Sequence, residues 1–196
     1  MNCCVLQGSP RKDGNTEQLL NSFLAEWIVC GNTYKKIWLY EKQILPCIAC
    51  RKCQQDWSVF GCQQRDDMQY IFDTILACDL ILLATPIYSW YCTPPMKAML
   101  DRLVYGMNKY YGERKGPALW EGKYLALLTT CGYPPGKGAD LWTQGMQRYC
   151  KHSKLVFQGI LAEHDHGYQS TFMTEEKALH ARQFARFLSG KAERSK

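Results

Sequence analysis

The stretch Gly8-Ser9-Pro10-Arg11-Lys12-Asp13-Gly14-Asn15-Thr16, directly after the apolar run Val5-Leu6, decides the fold. It reads as the turn from a first strand into a first helix, and it is crowded with donors. Ser9, Arg11, Asn15 and Thr16 offer hydroxyl, guanidinium and amide groups, while Gly8 and Gly14 let the backbone come close to a ligand. Asn15-Thr16 opens a helix whose first N–H groups face an anion. No Gly-Lys-Ser/Thr closes the stretch and it is not GxGxxG, so it is neither the nucleotide-hydrolase phosphate loop nor the dinucleotide fingerprint. The pattern suits a terminal phosphate monoester. A plain helix cap on a surface loop would leave most of these donors without a purpose.

Reading outward, 3–6 is the first strand. Leu19, Leu20, Phe23, Leu24 and Trp27 recur at helical spacing through 17–29, and Gly31-Asn32 ends that helix. A second strand over 33–40 is followed by a long cysteine-bearing connection, 41–65, after which Asp66-Asp67 cap a helix running to 77. The nearly unbroken apolar run 79–85 is expected of a strand buried on both faces of a parallel sheet. A loop over 86–91 leads to Pro95, which starts a helix to about 105, and a polar, tyrosine-bearing insertion fills 108–120. Strand 124–130, loop 131–136, helix 139–149, strand 155–161 and helix 175–188 complete the chain. The order predicts one doubly wound α/β domain over 1–190, a five-stranded parallel sheet with helices on both faces, and a frayed tail at 191–196. Ligands in such sheets sit beyond the strands' carboxyl ends at the switch point, which gathers the loops after the first, third and fourth strands.

The 196 residues are 46% hydrophobic and 21% charged, with a net charge of +6 spread too diffusely to indicate nucleic acid. No apolar run reaches membrane-spanning length and no secretory signal is recognisable. Eleven cysteines, an odd number, therefore read as reduced thiols, metal ligands or redox groups in a cytoplasmic protein rather than as a disulfide frame.

Four segments, GSPRKDGNT, the cysteine stretch from PCIACRKC to GCQQRDDM, ATPIYSW and PPMKAMLDR, carry a resemblance. The chain resembles the flavodoxin-like NAD(P)H-dependent FMN reductases, and more closely their iron–sulfur flavoprotein branch. The resemblance implies a flavodoxin-like sheet of order 2-1-3-4-5, noncovalently bound FMN, NAD(P)H as electron donor and a homodimer. Carried onto this sequence, Ser9, Arg11, Gly14, Asn15 and Thr16 would hold the FMN phosphate. Pro86, Ile87, Tyr88 and Ser89 would lie along the ribityl chain and ring, and Thr130, Cys131 and Gly132 would meet the pyrimidine side. The flavin carries the redox chemistry, so no catalytic side chain is expected. The acceptor is a small molecule: a quinone, an azo or nitro compound, free flavin or ferric iron. The alternative is an iron–sulfur flavoprotein exchanging electrons with a ferredoxin-like partner.

Cys47, Cys50, Cys53 and Cys62 form C-x2-C-x2-C-x8-C, a spacing at which thiolates can face one 4Fe-4S cluster. The resemblance implies a shorter last gap, so zinc and free or redox-active thiols stay open beside the cluster. The remaining cysteines, Cys131 included, read as packing or backbone-contact residues. His164-Asp165-His166 reads as a surface loop, Lys97 and Asp101 as a helix ion pair, and Arg102 as a surface or dimer contact. Met96, Met99, Leu100 and Leu103, with Tyr110, Tyr111 and Trp120, exceed what one sheet face needs and point to the dimer.

Overall fold

In the computed structural model, which describes residues 1–193, strands β1 (Asn2–Gln7), β2 (Thr33–Trp38), β3 (Leu80–Pro86), β4 (Tyr124–Cys131) and β5 (Val156–His164) form one sheet of order 2-1-3-4-5. Every pairing is parallel, as crossovers through helices demand. The flavodoxin-like topology expected from the sequence is therefore present, with its switch point between β1 and β3.

Side-chain alternation along the strands divides the core in two. Cys3 and Val5 of β1, with Leu80, Leu82 and Ala84 of β3, meet Leu19, Phe23 and Trp27 of α1 (Asn15–Val29) and Ala181 and Ala185 of α6 (Glu175–Glu193). Cys4, Leu6, Ile81 and Leu83 point the other way, toward α2 (Met68–Leu76), α3 (Pro94–Met107) and α5 (Asp140–Ser153), the last preceded by a single turn, α4 (Pro135–Gly138). β1 and β3 are thus buried on both faces, which is why β3 reads as a continuous apolar run.

Several boundaries differ from the sequence reading. β2 stops at Trp38, where a 3-10 turn, Leu39–Glu41, buries Leu39. β5 continues to His164, with a register shift opposite Leu125/Ala126 and Gly159 at φ +117°. α6 runs on to Glu193, into the segment expected to fray, and the rest of that tail lies outside the described residues. Most of the apolar excess assigned to a dimer is consumed within the chain, Tyr110 and Tyr111 staying half-buried. Met96, Met99, Leu100, Leu103 and Trp120 are all buried, the insertion folding back so that Trp120 Nε1 donates to Asn108 Oδ1 (2.8 Å) and Asn108 Nδ2 to Ser153 Oγ (2.9 Å). No helix among the described residues is long and apolar enough to cross a membrane.

Candidate functional site

The turn after β1 is held by bonds from the neighbouring strands and loops. The Gly8 N–H donates to the Ala84 carbonyl of β3 (2.7 Å), and Thr93 Oγ1, just before α3, donates to the Gly8 carbonyl (2.7 Å). A Cβ at Gly8 would come 2.9 Å from that hydroxyl and 3.0 Å from Met96 Cε. Gly8 is therefore needed for packing against the start of α3. Trp38 Nε1 donates to the Ser9 carbonyl (2.6 Å), and Ser9 Oγ accepts from the Arg11 N–H (3.2 Å). Gly14 is the residue from which α1 starts, and a Cβ there would lie 2.9 Å from Arg11 Cβ.

These bonds leave one strong donor free. Among the described residues the Arg11 guanidinium has no hydrogen-bond or ion-pair partner, and it stands exposed beside Asn15 at the open N-terminus of α1. Thr16, by contrast, has a partner within the chain. Its hydroxyl is buried and lies 2.8 Å from Thr130 Oγ1, tying α1 to the end of β4; when Thr130 is the donor, the Thr16 O–H is left for an anion beside its backbone N–H.

The loops after β1, β3 and β4 meet around one cavity of about 250 Å³. Ser9, Arg11, Gly14, Asn15 and Thr16 line one end; Pro86, Ile87 and Tyr88 line a side; Thr130, Cys131 and Gly132 line another. Ser89 is the sequence-selected residue that does not line it. With Trp90 it forms a two-residue hairpin turn closed by paired bonds between Tyr88 and Tyr91 (2.8 and 3.0 Å), both central residues having positive φ, 50° and 62°. Turns of that kind normally use Asn or Gly, and each such non-glycine residue costs about 1–3 kcal/mol unless its surroundings hold it. Trp90 is held by stacking on Tyr133 (centroids 6.0 Å apart, 11° between planes) and by a bond from its Nε1 to the Lys137 carbonyl (3.2 Å). The loops after β3 and β4 are thereby locked together at the cavity mouth.

Cys131 is buried, its thiol donating to the Tyr133 carbonyl (3.1 Å), and burial pushes its pKa up. It meets the cavity as a neutral packing group, as expected. Asp165 and Tyr168 also line the cavity, although the sequence reading left the loop after β5 as plain surface. Their signal was positional, since that loop also leaves a carboxyl strand end beside β4. The Asp165 N–H donates to the Cys131 carbonyl (2.8 Å), continuing the sheet by one bond, and His164 Nε2 lies 3.3 Å from the Gly132 carbonyl.

The cysteine connection builds a second cavity, of about 180 Å³, that shares no lining residue with the first. Cys47, Cys50, Cys53 and Cys62 all line it, closed by Arg102 and Tyr105 of α3 and by Tyr111. The connection leaves β2 near the first cavity and then descends α3. Arg102 stands nine residues past Thr93, roughly 13 Å along the helix axis from the end of α3 that meets the phosphate turn. Two buried cations shape it. Arg102, expected on a surface, is buried. It pairs with Asp66, donates to the Leu45 carbonyl (3.2 Å) and donates through Nη2 to Cys62 Sγ (3.2 Å). Lys109 is fully buried, and its ammonium donates to the carbonyls of Cys53 (2.7 Å), Val59 (2.7 Å) and Phe60 (3.4 Å), fastening the eight-residue gap before Cys62. By contrast, Lys97 and Asp101 form the exposed ion pair expected of them (2.6 Å).

Residues 1–153 match the NADPH-dependent FMN reductase family. The chain belongs to this family. Among curated relatives, an iron-sulfur flavoprotein of Archaeoglobus fulgidus is 34% identical over 124 residues, covering 63% of this chain and 51% of that protein. One from Methanosarcina thermophila is 31% identical over 120 residues, covering 60% of this chain and 61% of its own. The chain thus matches only about half to three fifths of those relatives' length. Among solved structures, an azoreductase from Bacillus anthracis aligns with TM-score 0.71 at 14% identity, over 97% of this chain and 99% of that one. An NAD(P)H:quinone oxidoreductase from Methanothermobacter marburgensis aligns with TM-score 0.68 at 20% identity, over 96% of both chains. At these identities the structures bear on the fold alone.

Both cavities have a donor set suited to the groups named in this FMN reductase family and its relatives. The first sets an unpaired guanidinium and a helix N-terminus at one end of a slot bounded by aromatic and backbone groups, which fits a flavin phosphate. In the second, no three Cys, His, Asp or Glu groups among the described residues gather closely enough to hold a single metal ion. The four cysteines line a common void, a thiolate set of the kind that a 4Fe-4S cluster or zinc would use.

Proposed function

We propose that this protein is an FMN-dependent oxidoreductase that passes electrons from NAD(P)H through FMN to a small acceptor. The carrying observation is the unpaired Arg11 guanidinium at the N-terminus of α1, opening onto the cavity where the loops after β1, β3 and β4 meet. Bound FMN supplies hydride acceptance and electron release. The chain's own part is to bind and orient. Arg11, Asn15 and the first N–H groups of α1 hold the phosphate, Tyr88 borders the ring, and the Cys131–Gly132 backbone meets its pyrimidine edge. The half-exposed Tyr88, Trp90 and Tyr133 at the mouth favour a homodimer that covers them, which sedimentation reporting only monomer at micromolar concentration would refute. Eleven unpaired thiols fit a reducing, cytoplasmic setting. The direct test is anaerobic mixing of FMN-loaded protein with NADPH and with NADH. Bleaching of the flavin band, and its return on adding quinone or azo dye, is expected; a flavin that stays oxidised with both donors overturns the reading.

A second reading is supported by the cavity lined with Cys47, Cys50, Cys53 and Cys62: a 4Fe-4S cluster working with a ferredoxin-like partner. Ala49 and Arg51 flank Cys50 with φ 53° and 59°, and left-handed residues of this kind build concave N–H surfaces that suit anionic clusters. Anaerobically purified protein should then contain close to stoichiometric iron and sulfide, and absence of both after reconstitution removes the cluster.

A further inference from the structure

Beyond the phosphate turn lies an outer cavity of about 280 Å³, lined by Arg11, Asn15, Asp165, Gly167, Tyr168 and Ser170. Four of these residues, Arg11, Asn15, Asp165 and Tyr168, also line the flavin cavity, so the two spaces adjoin at the end where Arg11 and Asn15 are assigned to the phosphate. The phosphate end of the inner slot is therefore open, not walled. What lies beyond it has the chemistry of a nucleoside site. Tyr168 stands fully exposed, a free aromatic face of the kind on which bases stack. Asp165 uses one carboxylate oxygen to accept the Gly167 N–H (3.1 Å), leaving the other for a sugar diol, the partner that acidic residues take in dinucleotide sites. The loop is braced by bonds from the Ser170 N–H (3.1 Å) and Ser170 Oγ (2.9 Å) to the Gly167 carbonyl. Arg11, between the two cavities and unpaired, is placed to bridge two consecutive phosphates.

We propose that the outer cavity is a nucleotide subsite taking the adenylate half of a flavin dinucleotide, so that the protein accepts FAD as well as FMN. This rests on the flavin reading of the inner cavity. An adenylate could also arrive as part of NADPH, and the experiment separates the two sources.

Binding of FMN and FAD to apoprotein is measured by quenching of flavin fluorescence, for the natural chain and for Ser170→Trp, which fills the outer cavity without touching the inner one. FAD should bind within about tenfold of FMN, and Ser170→Trp should weaken FAD by about tenfold or more, the loss of one base stack, with FMN unchanged. Tyr168→Ala should likewise lower the FAD-to-FMN affinity ratio. FAD more than about tenfold weaker than FMN in the natural chain overturns the proposal, as does an equal loss of both flavins in Ser170→Trp. If Ser170→Trp instead raises the KM for NADPH in FMN-loaded protein and spares FAD, the subsite serves the nicotinamide cofactor and the FAD assignment falls. A chain that binds neither flavin refutes the inner-cavity reading, and this one with it.

Discussion

The phosphate turn and the cysteine cavity are both loop structures hung on the same sheet, yet they are held in opposite ways. The turn is nine residues long, and its braces are neutral: the Gly8 N–H bond to β3, the Thr93 hydroxyl and Trp38 indole on its carbonyls, the Thr16–Thr130 hydroxyl pair, and the Ser9–Arg11 contact two residues apart. Of its charged side chains, the Arg11 guanidinium is left free, while Lys12 pairs with Glu41 (2.6 Å) on the exposed surface. In the cysteine cavity, long-range side chains form the brace: Arg102 and Asp66 are 36 residues apart, Lys109 and Cys53 are 56 apart, and Gln54 Nε2 donates to the Asn108 carbonyl (3.1 Å). A site at a strand–helix junction inherits its rigidity from the sheet and can keep its charges for a ligand. A site built on an appended lobe has to use buried charges to hold its own backbone.

The sharpest way to break this contrast is at Arg102. Its pair with Asp66 is nearly solvent-free, the side chains being 1% and 0% exposed. Removing the cation strands a buried carboxylate, so Arg102→Met should cost about 3–5 kcal/mol in urea unfolding. Burial pushes the Asp66 carboxyl up, but the guanidinium and the N–H groups of Leu45 and Met68 outweigh it and hold it below its ordinary value. A depressed folded-state pKa gives stability that is complete above the ordinary Asp value of about 3.9 and lost as pH falls through the folded value. The gap between natural chain and variant should therefore be widest at neutral pH and shrink below about pH 4. A stability unchanged at pH 7 would mean that the lobe is not held by this pair.

Arg11 should behave in the opposite sense. Arg11→Ala should weaken FMN binding by about 1.5–3 kcal/mol, the range for a hydrogen bond to a charged group, and leave apoprotein stability within about 0.5 kcal/mol, because the guanidinium braces nothing. Riboflavin, which lacks the phosphate, should bind the natural chain and the variant alike. Equal FMN affinity in the two proteins would move the phosphate elsewhere. Lys109→Met makes the matching intervention in the lobe. It leaves the carbonyls of Cys53, Val59 and Phe60 without their donor, at an expected cost of about 1–3 kcal/mol. Iron retention should fall while FMN content holds, and a loss of FMN in step with iron would make the two sites one cooperative unit.

The same contrast decides what was legible in the sequence. The doubly wound order and the first cavity could be read because their signals are local: apolar runs in β1 and β3, the donor-rich turn, and loops that must leave the carboxyl strand ends. Arg102 and Lys109 could not, because each looks like an ordinary charged residue until the chain folds and buries it against partners far away in sequence. The same cause misled the dimer argument, since Met96, Met99 and Trp120 gave no sign that the insertion would fold back to cover them. Asp165 and Tyr168 were missed because a helix-free loop with two histidines carries no periodicity, and only the extension of β5 to His164 sets it over the cavity.

The smallest expected effect on the fold belongs to Cys50, and it is the most informative about the lobe. Cys50 is exposed, and among the described residues its thiol has no hydrogen-bond partner, so Cys50→Ser should change stability by no more than about 0.5 kcal/mol. FMN affinity should be unchanged, because the flavin cavity shares no lining residue with the cysteine cavity. Serine keeps the shape but lacks the soft thiolate that iron–sulfur ligation uses, so a cluster held by the four cysteines should be lost or reduced in iron content. Visible absorption and iron analysis of anaerobically purified protein give the result directly. Iron falling with FMN and stability intact makes the lobe a cofactor site whose frame, Arg102 and Lys109, stands without the cofactor. If stability falls by several kcal/mol, Cys50 is part of the frame itself, and the division between free ligands and buried braces no longer separates the two regions.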